Sequence, residues 1–238
     1  DQNMLMMDQR RNNGSFIPRF KILSVLEDRK RQQSLLDADV SEVLLVGRSK
    51  IDPTFHVPTT KLSELVMPDM FDYSKVESAL SGFDACFICL GIAAKDMTNE
   101  AQYIRQTYDL TTAAANVVAK LNPDITLTYV SGAGTDGTAQ SKSLWMRVKG
   151  QVEQALLALP IKQAVMFRPL AVQAVNGEIA RNGLYRVGFF LGAPFITLLR
   201  KLLPSKIVTT EQMGRAMLSV AKQGSTKRVF ESADIARF

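Results

Sequence analysis

Ser131, Trp145 and Lys149 fall within one stretch of the chain, residues 125–149, which reads ITLTYVSGAGTDGTAQSKSLWMRVK. Ile125 to Val130 is rich in β-branched and aromatic residues and predicts a buried strand. Ser131 then stands at the strand's carboxyl end, where Gly132 and Gly134 force a turn. A polar loop follows, and a helix is expected to begin near Gln140. Trp145 and Lys149 are one helical turn apart and so lie on one face of it. A hydroxyl at a strand end facing an amine from the next helix occupies the place where open α/β sheets bind their ligands.

Other chemistries are disfavoured by the residues present. His56 is the only histidine in the chain and lies in a Pro-rich connection without metal-ligand partners, which argues against metal catalysis and a Ser-His-Asp triad. Cys86 and Cys89 form a C-x-x-C within FDACFICLG. On a strand, residues three apart point to opposite faces, so the two read as core thiols and not as a redox pair. Two cysteines build no disulfide framework, and a reducing, cytoplasmic setting fits them. The stretch DQNMLMMDQRR lacks the uninterrupted apolar core of a secretory signal.

The elements that position these groups can be traced along the 238 residues, a length that suits one α/β domain. Residues 1–34 form a divergent N-terminal segment in which Phe20 to Leu26 suits either a strand or the start of an amphipathic helix. Buried strands are expected at Glu42–Val46, Asp84–Leu90 and Ile161–Phe167, with a short strand or turn at Leu65–Met67. Helices are expected at Ser74–Leu80 and from about Thr98, as N-cap, to Leu121. Thr209 and Gln212 predict a capping box for a last helix ending at Gly224. Val229–Glu231 suits an edge strand. This alternation predicts a doubly wound, mostly parallel Rossmann-like α/β sheet over residues 35–238, with an atypical or remodelled first βα unit and a small C-terminal helical cap at about 177–228.

Charge and hydropathy suggest partners. Lys and Arg (29) exceed Asp and Glu (23), and residues 181–215 hold six basic side chains against the single acid Glu211. Such a run is read as a solvated basic face, with a phosphorylated ligand or an anionic membrane surface as the functional readings. Val187 to Leu199 is uncharged and too short to span a bilayer. It reads as a buried helical cap; a lid, a homodimer contact and a lipid-facing surface are its other readings. No nucleic-acid module or interleaved basic–aromatic stripe is present.

The motifs LLDADVSEVLLVGRS, DACFICLG, TYDLT, YVSGAGTD, MRVKGQVEQAL, FRP and VTTEQMGRAM occur in that order. In their order and spacing they resemble the atypical, epimerase-like branch of the short-chain dehydrogenase/reductase superfamily, including the Tat-interacting-protein oxidoreductases. The resemblance covers about Leu35 to Arg228. It implies a nicotinamide dinucleotide as cofactor, with Arg48 at the adenosine ribose; an arginine there suits a 2′-phosphate and so NADP(H) over NAD(H). It places Asp69 and Met70 against adenine, and Leu90, Gly91 and Ile92 where the backbone approaches the cofactor. Ser131 matches the active-site serine, Lys149 the lysine on the nicotinamide ribose, and Arg168, Pro169 and Leu170 the loop beside nicotinamide and substrate.

The chain departs from the family pattern at two places. The position four residues before Lys149, where the family carries its acidic tyrosine, is Trp145, whose indole N–H donates a hydrogen bond without releasing a proton. Ser131, Ser141, Ser143 or a water are the candidate substitutes. The opening G-x-x-G-x-x-G is also missing: Gly14 is the only glycine before Gly47. The phosphate cradle is therefore not located by motif, and each lost charge-assisted contact would cost about 1.5–3 kcal/mol. The leading functional reading is an NADP(H)-dependent oxidoreductase acting on a small carbonyl or hydroxyl compound. The alternatives are a catalytically inactive relative serving as a binding or regulatory module, and a peripheral membrane protein using Leu184 to Leu203.

Overall fold

The computed structural model describes residues 20–26, 37–50, 60–90, 99–173 and 206–238. Seven parallel strands form its main sheet: β1 (Phe20–Leu26), β2 (Val40–Gly47), β3 (Leu62–Val66), β4 (Ala85–Cys89), β5 (Thr126–Val130), β6 (Gln163–Arg168) and β9 (Val229–Glu231). Their spatial order is β3-β2-β1-β4-β5-β6-β9. The order reverses between β1 and β4, and the carboxyl ends flanking that switch point are where doubly wound sheets bind ligands. A second, two-stranded parallel ribbon joins β7 (Ala171–Gln173) to β8 (Ile207–Thr209).

Phe20 to Leu26 resolves as a strand, and it is the central one. It pairs with β2 on one side, Leu23 opposite Leu44, and with β4 on the other, Leu23 opposite Cys86. The sheet thus begins inside the segment that the motifs left unassigned. Its apolar side chains satisfy both faces at once, as a strand covered on two sides requires. Leu23, Leu44, Cys86, Ile88, Leu127, Tyr129 and Met166 face one layer, while Ile22, Val43, Leu45, Phe87, Val165 and Phe167 face the other. Burying each such aliphatic side chain contributes about 1.5–3 kcal/mol. Cys86 and Cys89 face opposite layers and neither is in a disulfide.

The first layer is built by α1 (Glu100–Ile104), a π-helical turn at Arg105–Asp109, α2 (Leu110–Leu121) and α3 (Leu144–Leu157). Three expected boundaries are corrected. Asn99, not Thr98, caps α1, its Oδ1 accepting the Gln102 N–H at 2.8 Å; a side-chain oxygen three residues ahead of an orphan N–H satisfies it directly. The helix is not continuous, since the π turn inserts an extra residue before α2. Glu77–Leu80 is a single 3₁₀ turn. Asn122 ends α2 as a buried clip: its Oδ1 accepts from the Gly82 and Phe83 amides, and its Nδ2 donates to the Leu80 and Val118 carbonyls.

The second layer is α4 (Thr210–Gln223), whose Met213, Ala216, Met217 and Val220 pack on Val165 and Phe167 of the sheet. The capping box is present as expected, Thr209 Oγ1 accepting from Gln212 N at 3.0 Å and Gln212 Oε1 from Thr209 N at 2.9 Å. Gly224 ends the helix at φ +70°. The short α5 (Ser232–Ile235) follows the edge strand β9. The uncharged stretch 187–199, most of the expected cap and His56 lie outside the described residues. Among the described residues no helix is long and apolar enough to cross a membrane.

Candidate functional site

The carboxyl end of β5 runs directly into the loop 131–143. The Ser131 N–H donates to the Phe167 carbonyl at 2.8 Å, so strand pairing to β6 continues one residue past Val130. Strand alternation therefore puts Ser131 on the same side as Tyr129, the side covered by α3. From α3 the Lys149 Nζ reaches the Tyr129 hydroxyl at 3.4 Å and stands 5.3 Å from the centre of its ring. The helix amine thus meets β5 at Tyr129, two residues before Ser131.

The hydroxyl of Ser131 is not a free donor. Its Oγ lies 2.9 Å from Thr135 Oγ1, and Thr135 Oγ1 donates to the Gly132 carbonyl at 2.7 Å. A threonine has one hydroxyl proton. With that proton on Gly132, Ser131 must donate to Thr135, and its Oγ has no proton left for another partner. Both residues are buried.

Trp145 lies across the glycine turn. A Cβ on Gly134 would fall 3.3 Å from the indole Cη2, and one on Gly132 would fall 3.9 Å from Cζ3. Gly134 also has φ +87°, which favours glycine. The indole, on the same helix as Lys149, thus packs against the loop that carries Ser131.

Asp136 organises that loop. Its Oδ1 accepts from the Thr138 amide and hydroxyl at 2.9 and 2.7 Å, and its Oδ2 from the amides of Gln140 and Ser141 at 2.8 and 2.6 Å. This capture keeps residues 136–141 out of the helix, and α3 consequently begins at Leu144, not near Gln140. Hydrogen bonds, first from the Thr138 hydroxyl and then from its amide, hold the Asp136 carboxyl down at about 2. The depressed value means the loop is held fully above the ordinary carboxylate range and released as pH falls through about 2. Trp145 is the sole tryptophan and reports on this loop. Its emission is expected to stay constant down to about pH 3 and to change below that, with Asp136→Asn showing the released spectrum already at neutral pH.

The remaining sequence candidates are distributed as follows. Arg48 follows β2 at its carboxyl end and is exposed. Asp69 closes its own turn, Oδ1 accepting from Phe71 N at 2.9 Å, while Met70 is buried in the first layer and presents no surface for a ring to lie on. Leu90 is buried just past β4; Gly91 and Ile92 lie outside the described residues. The Arg168 guanidinium turns inward onto Glu153, Nε to Oε1 at 3.0 Å and Nη2 to Oε2 at 2.5 Å, and touches Glu231 at 3.4 Å. The rest of this loop offers its backbone, where the Pro169 carbonyl accepts from Ala133 N at 3.0 Å, and the side chain of Leu170, 59% exposed.

Four groups carry the site without having been singled out by sequence. Tyr129 and Tyr103 are buried phenols whose pKa values burial raises, so both stay protonated. Glu153 anchors Arg168 from inside, and Gly150 admits the Asp136 peptide against α3. Burial lowers the Lys149 pKa, with neighbouring Tyr103, Glu153 and Cys89 opposing the shift.

No family model matches the chain. Solved structures show the fold. The Bordetella bronchiseptica enzyme WbmF in complex with NAD+ is similar with TM-score 0.65 at 12% identity, covering 93% of this chain and 77% of its own. A UDP-N-acetylglucosamine 4-epimerase from Methanobrevibacter ruminantium in complex with UDP-N-acetylmuramic acid gives 0.63 at 13% identity, over 90% and 76%. A short chain dehydrogenase family protein from Francisella tularensis gives 0.56 at 12%, over 92% and 99%. The chain has the Rossmann-like fold shared by these epimerase-type and short-chain dehydrogenase structures.

Proposed function

We propose that this protein is an NADP(H)-dependent oxidoreductase acting on a small carbonyl or hydroxyl compound. The observation that carries the reading is the reach of Lys149 Nζ to the Tyr129 hydroxyl at 3.4 Å, on the strand that leads into Ser131, at the carboxyl edge of the sheet next to the β1–β4 switch point. The donor set fits a dinucleotide. An ammonium has three N–H donors, and among the described residues Tyr129 is the one hydrogen-bond partner of Lys149, so donors remain for ribose hydroxyls. Fold neighbours solved with NAD+ or NAD support the cofactor class.

When bound, the dinucleotide supplies or accepts hydride. The chain's own residues do the rest. Lys149 holds the ribose, Ser131 offers lone pairs to a substrate hydroxyl, and Trp145 walls the cleft while excluding water. Arg48, past the end of β2 on the other side of the switch point, favours a 2′-phosphate over a bare hydroxyl.

Thermal unfolding tests this directly. NADPH at 100 times its dissociation constant is expected to add about 2.7 kcal/mol, a rise in Tm of roughly 5–10 °C for a domain of this size. Arg48→Glu should shrink the NADPH shift and leave that of NADH unchanged. No shift with either dinucleotide at millimolar concentration would refute the reading and favour a non-catalytic binding module.

A further inference from the structure

The site needs a group that can exchange a proton with the substrate, and the described residues narrow the choice. The Ser131 proton is committed to Thr135, whose own proton is committed to Gly132. Ser141 Oγ points to Met146 Sδ at 3.7 Å and accepts from Ser143 N. A serine gives up its proton only to an adjacent base, and neither position shows one. The Trp145 indole is no acid and is packed on Gly134. Tyr103 and Tyr129 carry acidic protons but are sealed in the core, at 1% and 0% exposure. Among the titratable groups that meet here only Lys149 and the Cys89 thiol are partly buried, and of the two Lys149 alone carries more than one exchangeable proton.

Its surroundings are specific to that task. From β5 it faces the neutral Tyr129 phenol, from α1 the neutral Tyr103 phenol, from β4 the Cys89 thiol, and from its own helix Glu153. Glu153 would be the natural counter-ion, yet both its oxygens are held by Arg168. The ammonium is thus partly desolvated and lacks a close carboxylate of its own among the described residues, a setting that favours release of its proton.

We propose that Lys149 is the proton donor and acceptor of this site, replacing a phenol that the chain does not carry on this helix. The proposal rests on the oxidoreductase reading. In reduction, the carbonyl carbon accepts a hydride with its electron pair from a reduced nicotinamide dinucleotide, and the C=O π pair moves to oxygen. That oxygen forms its O–H bond as an Nζ–H bond of Lys149 breaks, leaving a neutral amine that water reprotonates. Alcohol oxidation runs the same bonds in reverse. Tyr129 positions the amine, and the inward-donating Ser131 accepts from the nascent hydroxyl.

Two measurements test it. In the dinucleotide-free protein labelled with ¹³Cε-lysine, one resonance, absent in Lys149→Met, is expected to titrate at lower pH than every other lysine. Co-titration with the surface lysines would overturn the proposal. Lys149→Arg keeps a cation for the ribose but cannot be deprotonated. It is expected to retain the NADPH-induced rise in Tm while turnover falls by about 10²–10⁴-fold, the usual contribution of a general acid. Wild-type turnover in Lys149→Arg would overturn the proton role and leave the oxidoreductase reading standing. Absence of any NADPH shift in the wild type would instead remove that reading and the proton step with it.

Discussion

Gly150→Ala is expected to destabilise the protein, although alanine in a helix interior ordinarily stabilises by about 0.5–1 kcal/mol relative to glycine. Gly150 sits in the middle of α3. A Cβ there would lie 1.8 Å from the Asp136 carbonyl oxygen and 2.9 Å from its carbon, both backbone atoms. A flexible side chain could swing away from such a contact; a peptide cannot. Nor can Asp136 retreat alone. Its carbonyl accepts from Ala139 N, its amide donates to Met146 O, and its carboxylate holds Thr138, Gln140 and Ser141. The loop has to lift as one piece, carrying Gly132 and Gly134 away from Trp145.

Overpacking of this kind costs about 1–3 kcal/mol, enough to reverse the helix-propensity gain and lower Tm by several degrees. The two readouts should move together: a fall in the thermal midpoint and a change in the fluorescence of Trp145. A Gly150→Ala variant more stable than the parent would show that the loop does not rest on the helix.

What the sequence discloses depends on how local the physics is. The strand ending at Ser131, the opposed Cys86 and Cys89, and the Thr209–Gln212 box follow from period, side-chain type and short spacing, and the structure contains them. Phe20–Leu26 was ambiguous because its apolar residues suit both periods; only its neighbours β2 and β4, brought from later in the chain, make it the central strand. Tyr129 and Tyr103 read as ordinary core aromatics, since nothing nearby in sequence shows that an amine from α3 will meet them. The start of α3 was misplaced because the Asp136 carboxylate, a side chain, outcompetes helix formation for the Gln140 and Ser141 amides. Gly150 was the one available signal of close packing, a glycine inside a helical pattern. Motif position places Arg168 in the loop after β6, but its pairing with Glu153 is not legible, because no spacing reveals that Glu153 is buried.

Glu153→Ala is the second large effect, and it separates a structural arginine from a ligand-binding one. The Glu153 side chain is 2% exposed and that of Arg168 15%, and they meet through two parallel hydrogen bonds. The pair ties α3 to β6, and the third contact to Glu231 ties β6 to the edge strand β9, whose Glu231 is the register partner of Arg168. Removing one member of a buried pair leaves the other charge desolvated without compensation, at a cost of about 3–5 kcal/mol. For a domain of this size that corresponds to a fall in Tm of roughly ten degrees. Glu231, half exposed, recovers little of it, because a surface pair contributes only about 0–1 kcal/mol. Arg168→Lys should also destabilise, since an ammonium cannot span both carboxylate oxygens. The deciding variant is the double Glu153→Met/Arg168→Met. If the pair is structural, denaturant unfolding should place it well above Glu153→Ala, near the parent, because apolar side chains of similar length fill the space without a stranded charge. If Arg168 instead serves the ligand, the double variant would be stable and yet lose the NADPH-induced rise in Tm.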